Sequence, residues 1–428
     1  MIVKYENILR NAQKSVLKTV LLASVFFVAS CASVASSDAG QTAQTASSIH
    51  SIDNSAAVHT LRRMSMGHPG VGALFYRSMN EIYPTETVGS GPSTALPIGA
   101  KLDVSVTLDD KEMSLDQALV AVKSNGFFVL HKGEIVYEKY FNGADADSKF
   151  ASFSMSKSIT SMLVGIIVDK GLVDSISDPI DKYLPQLKGS PYEGVTIRQM
   201  LMMRSGTNYQ EGYDPKNPTH LMRLFDGAMV QNKMHFTDFA KLGLERINEP
   251  GSTYNYSTME TGILGLLIEK VTGQRLAQVM EEMIWKPAGM EQSAYWLLDG
   301  NGPEGQALAG GGFNATLHDY ARLGAIMLND GRANGTQIVS SAWVSESTIP
   351  TGPEPVIEGR TRGYQYQWWT MMDSDAYQAI GIFGQFILVD PASETVIVKT
   401  SYWPKSWVPE LDKKTEKVFD AILNELSD

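Results

Sequence analysis

The sequence predicts an α/β protein of the α+β kind, an antiparallel sheet flanked by helices with an all-helical subdomain inserted. Three observations predict it: a strand-like hairpin near residue 130, a second near residue 390, and helical periodicity over most of the chain between them. In the first hairpin, Phe127-Phe128-Val129-Leu130 and Ile135-Val136-Tyr137 are aromatic and β-branched, and Lys132-Gly133 supplies the turn. In the second, Gln385 to Val389 and Thr395 to Thr400 flank Asp390-Pro391-Ala392-Ser393, where proline has a position that suits its fixed φ. A last helix is marked by Val418, Phe419, Ile422, Leu423 and Leu426, an apolar stripe at i, i+4 spacing. The sheet is therefore expected to draw its strands from both chain extremities.

With 428 residues, 43% of them hydrophobic, the chain can bury a sizeable core. It carries 36 Lys plus Arg against 47 Asp plus Glu and has no basic run able to track a phosphate backbone, so no nucleic-acid partner is expected. The first thirty residues differ from the rest. Lys4, Arg10, Lys14 and Lys18 form a basic leader, and Val20 to Val28 is an uncharged apolar run too short for a comfortable membrane span, so residues 1–30 read as a signal peptide. The sequence Val28-Ala29-Ser30-Cys31 resembles the lipobox of bacterial lipoproteins, which implies a lipid anchor to the membrane through Cys31, the single cysteine. The alternative is cleavage at small residues near Ala35-Ser36. Ala32 after the cysteine resembles lipoproteins exported to the outer membrane, which places the chain in the cell envelope, facing the periplasm. Residues 31–56, dominated by Ser, Ala, Gln and Thr, are expected to be a flexible tether, and residues 57–428 one folded unit with the helical subdomain over roughly 172–310. Nothing in the sequence signals an oligomeric state.

The chemistry begins at Ser154-Met155-Ser156-Lys157, placed where a helix starts. Ile159, Met162, Leu163, Ile166 and Ile167 then repeat at helical spacing, and Gly171 stands where a C-terminal stop belongs. The spacing puts Ser154 and Lys157 opposite the apolar stripe, facing a cleft. A serine hydroxyl is a weak nucleophile until a base takes its proton, and a partly desolvated lysine one turn along can be that base. The helix start adds N–H groups suited to an oxyanion. An isolated S-x-x-K also fits a capping serine with a solvated lysine, so its surroundings decide.

Tyr254-Asn255-Tyr256-Ser257-Thr258 precedes a second helix, and a phenol held near a lysine ammonium is expected to have a lowered pKa and to relay protons. Ser257 and Glu260 match a capping box, and Tyr256 alone would read as a half-buried core residue. Gly381-Ile382-Phe383-Gly384-Gln385 opens a strand whose glycines would let a substrate approach the backbone. The N–H of Ile382 is the candidate second oxyanion donor, the other reading being a β-bulge without chemistry.

Taken together, Phe153 to Ser158, Leu172 to Pro185, Thr196 to Leu201 leading to Ser205-Gly206, Tyr256, His318 to Gly324, Gly363 to Trp369 and Gly381 to Gln385 resemble the serine β-lactamase and D,D-peptidase superfamily. Phe75 to Met79, Tyr83-Pro84-Thr85 and Gln210-Glu211-Gly212-Tyr213 are similar to its 6-aminohexanoate-dimer hydrolase branch, which also resembles the esterases of β-lactamase fold. The resemblance implies a β-lactamase/transpeptidase-like fold and hydrolysis of a small amide or ester, with no cofactor. It implies Ser154, Lys157 and Tyr256 as catalytic residues, the N–H groups of Ser154 and Ile382 as oxyanion hole beside Gly381, and Tyr213 as a substrate-facing residue. The superfamily's Tyr-x-Asn is here Tyr256-Ser257-Thr258, and its Lys-Thr-Gly is replaced around Gly381-Ile382-Phe383. Both changes remove polar groups that would grip a β-lactam, so efficient antibiotic hydrolysis is not expected.

Other classes fit less well. The chain has no G-x-S-x-G elbow, and its seven histidines include no H-E-x-x-H, so neither a Ser-His-Asp hydrolase nor a zinc enzyme is indicated and no metal ligands are assigned. His318 reads as a surface or packing residue. A class C-type β-lactamase or D,D-peptidase stays open, as does a non-catalytic lipoprotein that binds peptidoglycan fragments, although a pure binder has no need of Ser154, Lys157 and Tyr256 together.

Overall fold

The computed structural model describes residues 48–427 apart from 53, 68–70, 215, 350–355 and 358–359. The leader over 1–30, Cys31 and the start of the expected tether lie outside the described residues. Eight strands form the main sheet: β1 (Ser124–His131), β2 (Glu134–Tyr140), β3 (Val356–Ile357), β4 (Arg360–Gln365), β5 (Trp368–Met371), β6 (Tyr377–Gly381), β7 (Gln385–Asp390) and β8 (Thr395–Ser401). Their order is β3-β4-β5-β6-β7-β8-β1-β2, antiparallel at each step. Strand β8 meets β1 with Lys399 opposite Phe127 and Thr395 opposite His131, so the two ends of the fold do share a sheet. Lys132 (φ 50°) and Gly133 (φ 80°) make the β1–β2 turn, the left-handed pair that a two-residue hairpin favours.

The alternation of side chains along the strands builds two cores. Phe128, Leu130, Ile387, Val389, Val396 and Val398 point to one face, and Phe127, Val129, Phe386, Leu388 and Ile397 to the other. The second face is covered by α4 (Pro409–Leu426) through Val418, Phe419 and Ile422, part of the stripe read from the sequence. The first is covered by α1 (Met155–Asp169) and α3 (Leu317–Leu328), with α2 (Thr258–Thr272) packed against α1. Each large apolar side chain buried in these layers contributes roughly 1.5–3 kcal/mol. Helix α3 lies close enough to the sheet that a Cβ on Gly324 would meet Val396 Cγ1 at 2.5 Å, so only glycine fits there.

Two features differ from the sequence reading. A second sheet, in the order Ile49–His50, Thr85–Val88, Ala294–Leu297, Phe313–Ala315 and Phe150–Ala151, was not legible, because two- to four-residue strands show too little alternation. It takes Ile49–His50 from the stretch expected as tether and Ala294–Leu297 from the stretch expected as helical. Helix α1 is also buried on all sides rather than only along its stripe, Met155 to Ile167 being buried without exception. Its end follows the reading: Gly171 (φ 67°) turns the chain, with Leu172 N–H donating to Ile167 C=O at 2.9 Å and Gly171 N–H to Val168 C=O at 2.9 Å.

Candidate active site

Ser154 occupies the N-cap position of α1, yet its side chain makes no capping hydrogen bond. The hydroxyl instead accepts from Lys157 Nζ at 3.0 Å. That ammonium, on a residue 1% exposed, also donates to Thr258 Oγ1 at 2.9 Å and to Gly310 C=O at 2.7 Å. Burial pushes the Lys157 pKa down to about 8, with the carboxylate of Glu211 pulling it back up. The arrangement suits a neutral amine: two N–H bonds stay on Thr258 and Gly310 while the lone pair faces the Ser154 proton.

The phenols of Tyr256 and Tyr213 both interact with the Ser154 hydroxyl. Lys157 Nζ lies over the Tyr256 ring, 4.9 Å from its centroid, and Trp369 stacks on that ring with centroids 5.9 Å apart. The expected lowering of the Tyr256 pKa is not found. Burial raises it and the Glu211 carboxylate raises it further, with the Ser154 contact opposing both. Lysine therefore meets the face of the ring, and the phenol is a neutral hydrogen-bonding group, able to pass a proton but not to act as a phenolate base. The expected capping box is half formed: Ser257 Oγ accepts from Glu260 N–H at 3.3 Å, but the Glu260 carboxyl turns inward to accept from Ser205 Oγ at 2.5 Å.

Ile382 follows β6 and borders the same pocket as Ser154 and Tyr213. Gly381 serves a backbone contact rather than an opening for substrate: a Cβ there would stand 2.2 Å from Ser152 C=O. This close approach brings the end of β6 against the segment that leads into Ser154. The residues flanking the two oxyanion candidates, Phe153 (φ 46°) and Phe383 (φ 63°), are both left-handed, a conformation costing of order 1–3 kcal/mol each for a non-glycine residue. Their rings meet edge-on at 5.2 Å, and Tyr76 packs on both, at 5.0 Å from Phe153 and 4.9 Å from Phe383. Three aromatic pairs at roughly 0.5–1.5 kcal/mol each offset strain of that size. Tyr76, Phe153 and Phe383 thus hold both N–H groups in place.

Sequence reasoning missed Glu211, Thr258 and Gly310 as site residues. Glu211 accepts from Thr258 N–H at 3.0 Å, Thr258 Oγ1 at 2.7 Å and Tyr213 OH at 3.0 Å, tying the lysine's neighbours together. The run Gly310-Gly311-Gly312 was a usable signal for close backbone approach: a Cβ on Gly310 would meet Thr258 Cγ2 at 2.8 Å. His318 is a packing residue as read, ion-paired to Glu138 and Glu291 at 3.0 Å each, which against the effect of burial raises its pKa to about 9.

A serine and lysine at the start of a helix against an antiparallel sheet, closed by a tyrosine from the loop just before the next long helix, define a class of acyl-transfer folds, and sequence comparison agrees. The beta-lactamase family profile matches residues 115–416. The chain belongs to the beta-lactamase family and has its transpeptidase-like fold. It is 31% identical over 342 residues to the 6-aminohexanoate-dimer hydrolase of Paenarthrobacter ureafaciens, covering 77% of this chain and 85% of the relative. A Bacillus anthracis protein assigned as a 6-aminohexanoate-dimer hydrolase superposes with a TM-score of 0.74 at 25% identity, covering 83% of this chain and 94% of the other. Esterase EstB of Burkholderia gladioli is 24% identical over 219 residues, 45% of this chain and 55% of the esterase.

Proposed function

We propose that this protein is a serine hydrolase that cleaves small amides or esters through an acyl-enzyme on Ser154. The observation that carries the reading is the 3.0 Å contact between Lys157 Nζ and Ser154 Oγ, made by a lysine whose pKa burial has brought to about 8. Lys157 takes the hydroxyl proton as Oγ bonds to the carbonyl carbon, and the N–H groups of Ser154 and Ile382 hold the oxyanion. Collapse of the intermediate breaks the bond to the leaving oxygen or nitrogen, which receives the proton from Lys157 through the Tyr256 phenol. Water then repeats the sequence on the acyl-enzyme and restores the free serine. Relatives named as an amide-dimer hydrolase and as an esterase support this reaction class.

A fluorophosphonate probe tests the assignment: labelling of the native protein that disappears in Ser154→Ala supports it, and absence of labelling favours the peptidoglycan-fragment binder. Activity is expected on p-nitrophenyl esters and linear amides, with little on nitrocefin. The hydroxyl of Thr258, at the place of the amide in Tyr-x-Asn, is fully engaged between Lys157 and Glu211. Nitrocefin turnover rivalling that of a short ester would instead mark a β-lactamase.

We further infer attachment to the cell envelope through a lipid on Cys31, facing the periplasm and on the outer membrane, supported by the basic leader, the apolar run and the lipobox-like Val28 to Cys31. Metabolic labelling with a palmitate analogue in a bacterial host checks this, and label retained in Cys31→Ser contradicts it.

A further inference from the structure

We propose, resting on the serine-hydrolase reading, that the acyl half of the substrate is a neutral hydrocarbon chain bound in the pocket between Ser154 and the wall formed by Met79, Leu221, Phe225, Met229 and Phe236. Geometry gives the direction. The carbonyl carbon attacked by Ser154 has three substituents: its oxygen faces the N–H groups of Ser154 and Ile382, and its leaving atom must face the proton carriers Lys157 and Tyr256. The third, the acyl chain, takes the remaining side. The pocket bordered by Ser154, Ile382 and Tyr213 is that side, since neither Lys157 nor Tyr256 is among its described lining residues.

The wall fixes the chemistry. None of the described lining residues carries a formal charge, and away from the reacting Ser154 their side-chain polar atoms are already engaged. Thr258 Oγ1 accepts from Lys157 and donates to Glu211, Tyr213 OH donates to Glu211, Gly310 C=O accepts from Lys157, and Tyr83 OH bonds Ser65 Oγ at 2.9 Å and Arg62 C=O at 3.0 Å. An ammonium or carboxylate on the chain would lose its water and find no partner, which is costly, whereas methylene groups lose nothing. The cavity is about 60 Å³, room for several waters and so for a short run of methylenes. Phe225 and Met229 come from a π-helical turn, Phe225–Val230, a form frequent at functional sites, and flexible methionines let the wall follow a chain's shape.

The test compares p-nitrophenyl esters of hexanoate, 6-aminohexanoate and adipate (as the monoester), one length with a neutral, a positive or a negative end, beside acetate. The native protein is expected to favour hexanoate over either charged ester by roughly 10²-fold or more in kcat/KM. Met229→Asp should narrow the gap to the 6-aminohexanoate ester at least tenfold, and Met229→Trp should lower the hexanoate-to-acetate ratio of kcat/KM at least tenfold. Equal native rates on the neutral and charged six-carbon esters overturn the proposal, even if a variant fails to fold. Acetate turnover and fluorophosphonate labelling separate the two failures. If both persist while charge makes no difference, only the acyl assignment falls; if both are absent, the hydrolase reading itself fails.

Discussion

Two lysines, one on each side of the main sheet, are buried to the same degree and do different things. Lys157 sits among three oxygen acceptors beside a pocket, and one of those oxygens is a serine hydroxyl at a helix start. Lys399, on β8, lies on the α4 side, donating to Ser401 Oγ and reaching Gly384 C=O at 3.5 Å, with the Phe386 and Trp403 rings 5.7 and 5.2 Å away. Burial lowers the pKa of both, opposed by Glu211 for the first and Asp412 for the second. A displaced pKa therefore does not mark a base. What distinguishes Lys157 is a nucleophile within reach of its lone pair and room for a carbonyl beside it.

The comparison can be broken in four ways, from the largest effect down. Lys157→Met should cut kcat/KM by ~10²-fold or more, and Lys157→Arg should do likewise because guanidinium does not deprotonate near neutrality. Circular dichroism should show the fold intact, and normal turnover in Lys157→Arg would rule out Lys157 as the base. In the native enzyme kcat/KM should climb about tenfold per pH unit below pH 8 and level off above, since the active form is the neutral amine. A rate that falls over that range contradicts a lysine base. Glu211→Gln removes the charge that holds the lysine pKa up, so the acid limb should move to lower pH by less than about one unit. A shift to higher pH would mean Glu211 acts otherwise.

The smallest catalytic effect belongs to Lys399→Met, expected within a few-fold of native activity. Its signature is in stability. A lysine whose folded pKa is lowered binds fewer protons folded than unfolded, so it weakens the fold most at low pH and less as pH rises toward the unfolded value. The melting temperature of Lys399→Met relative to native should accordingly be highest at pH 6 and fall toward the native value as pH approaches about 10.5. A variant less stable than native at pH 6 that draws level only at high pH would show that Lys399 is charged and paired in the fold.

Much of this was legible in the sequence, for reasons that separate into local and distant. The β1–β2 and β7–β8 hairpins, α4 and the Schellman turn at Gly171 depend on neighbours within a few residues, and their signals are in the chain directly. Ser154 and Lys157 are one helical turn apart, so their meeting could be foreseen. The short sheet through Phe313–Ala315 and the Glu211–Thr258–Lys157 chain could not be, because their partners are 17 to 212 residues apart and no local pattern announces a carboxylate's distant hydrogen bonds. The Tyr256 pKa went the other way from expectation because proximity to an ammonium was weighed without the burial that outweighs it.

The ring of Tyr76 has a consequence for where this enzyme begins. It lies ahead of the segment shared with the family, as do Met79 and Tyr83, yet it braces both strained phenylalanines while the other two line the pocket. A protein pared back to the shared segment would retain Ser154, Lys157 and Tyr256 and lose the ring that packs on both left-handed phenylalanines. The stretch around Tyr76 to Tyr83 cannot be treated as packaging: it lines the candidate site from outside the matched segment, and swapping it between relatives is a route by which rate and acyl preference would change together.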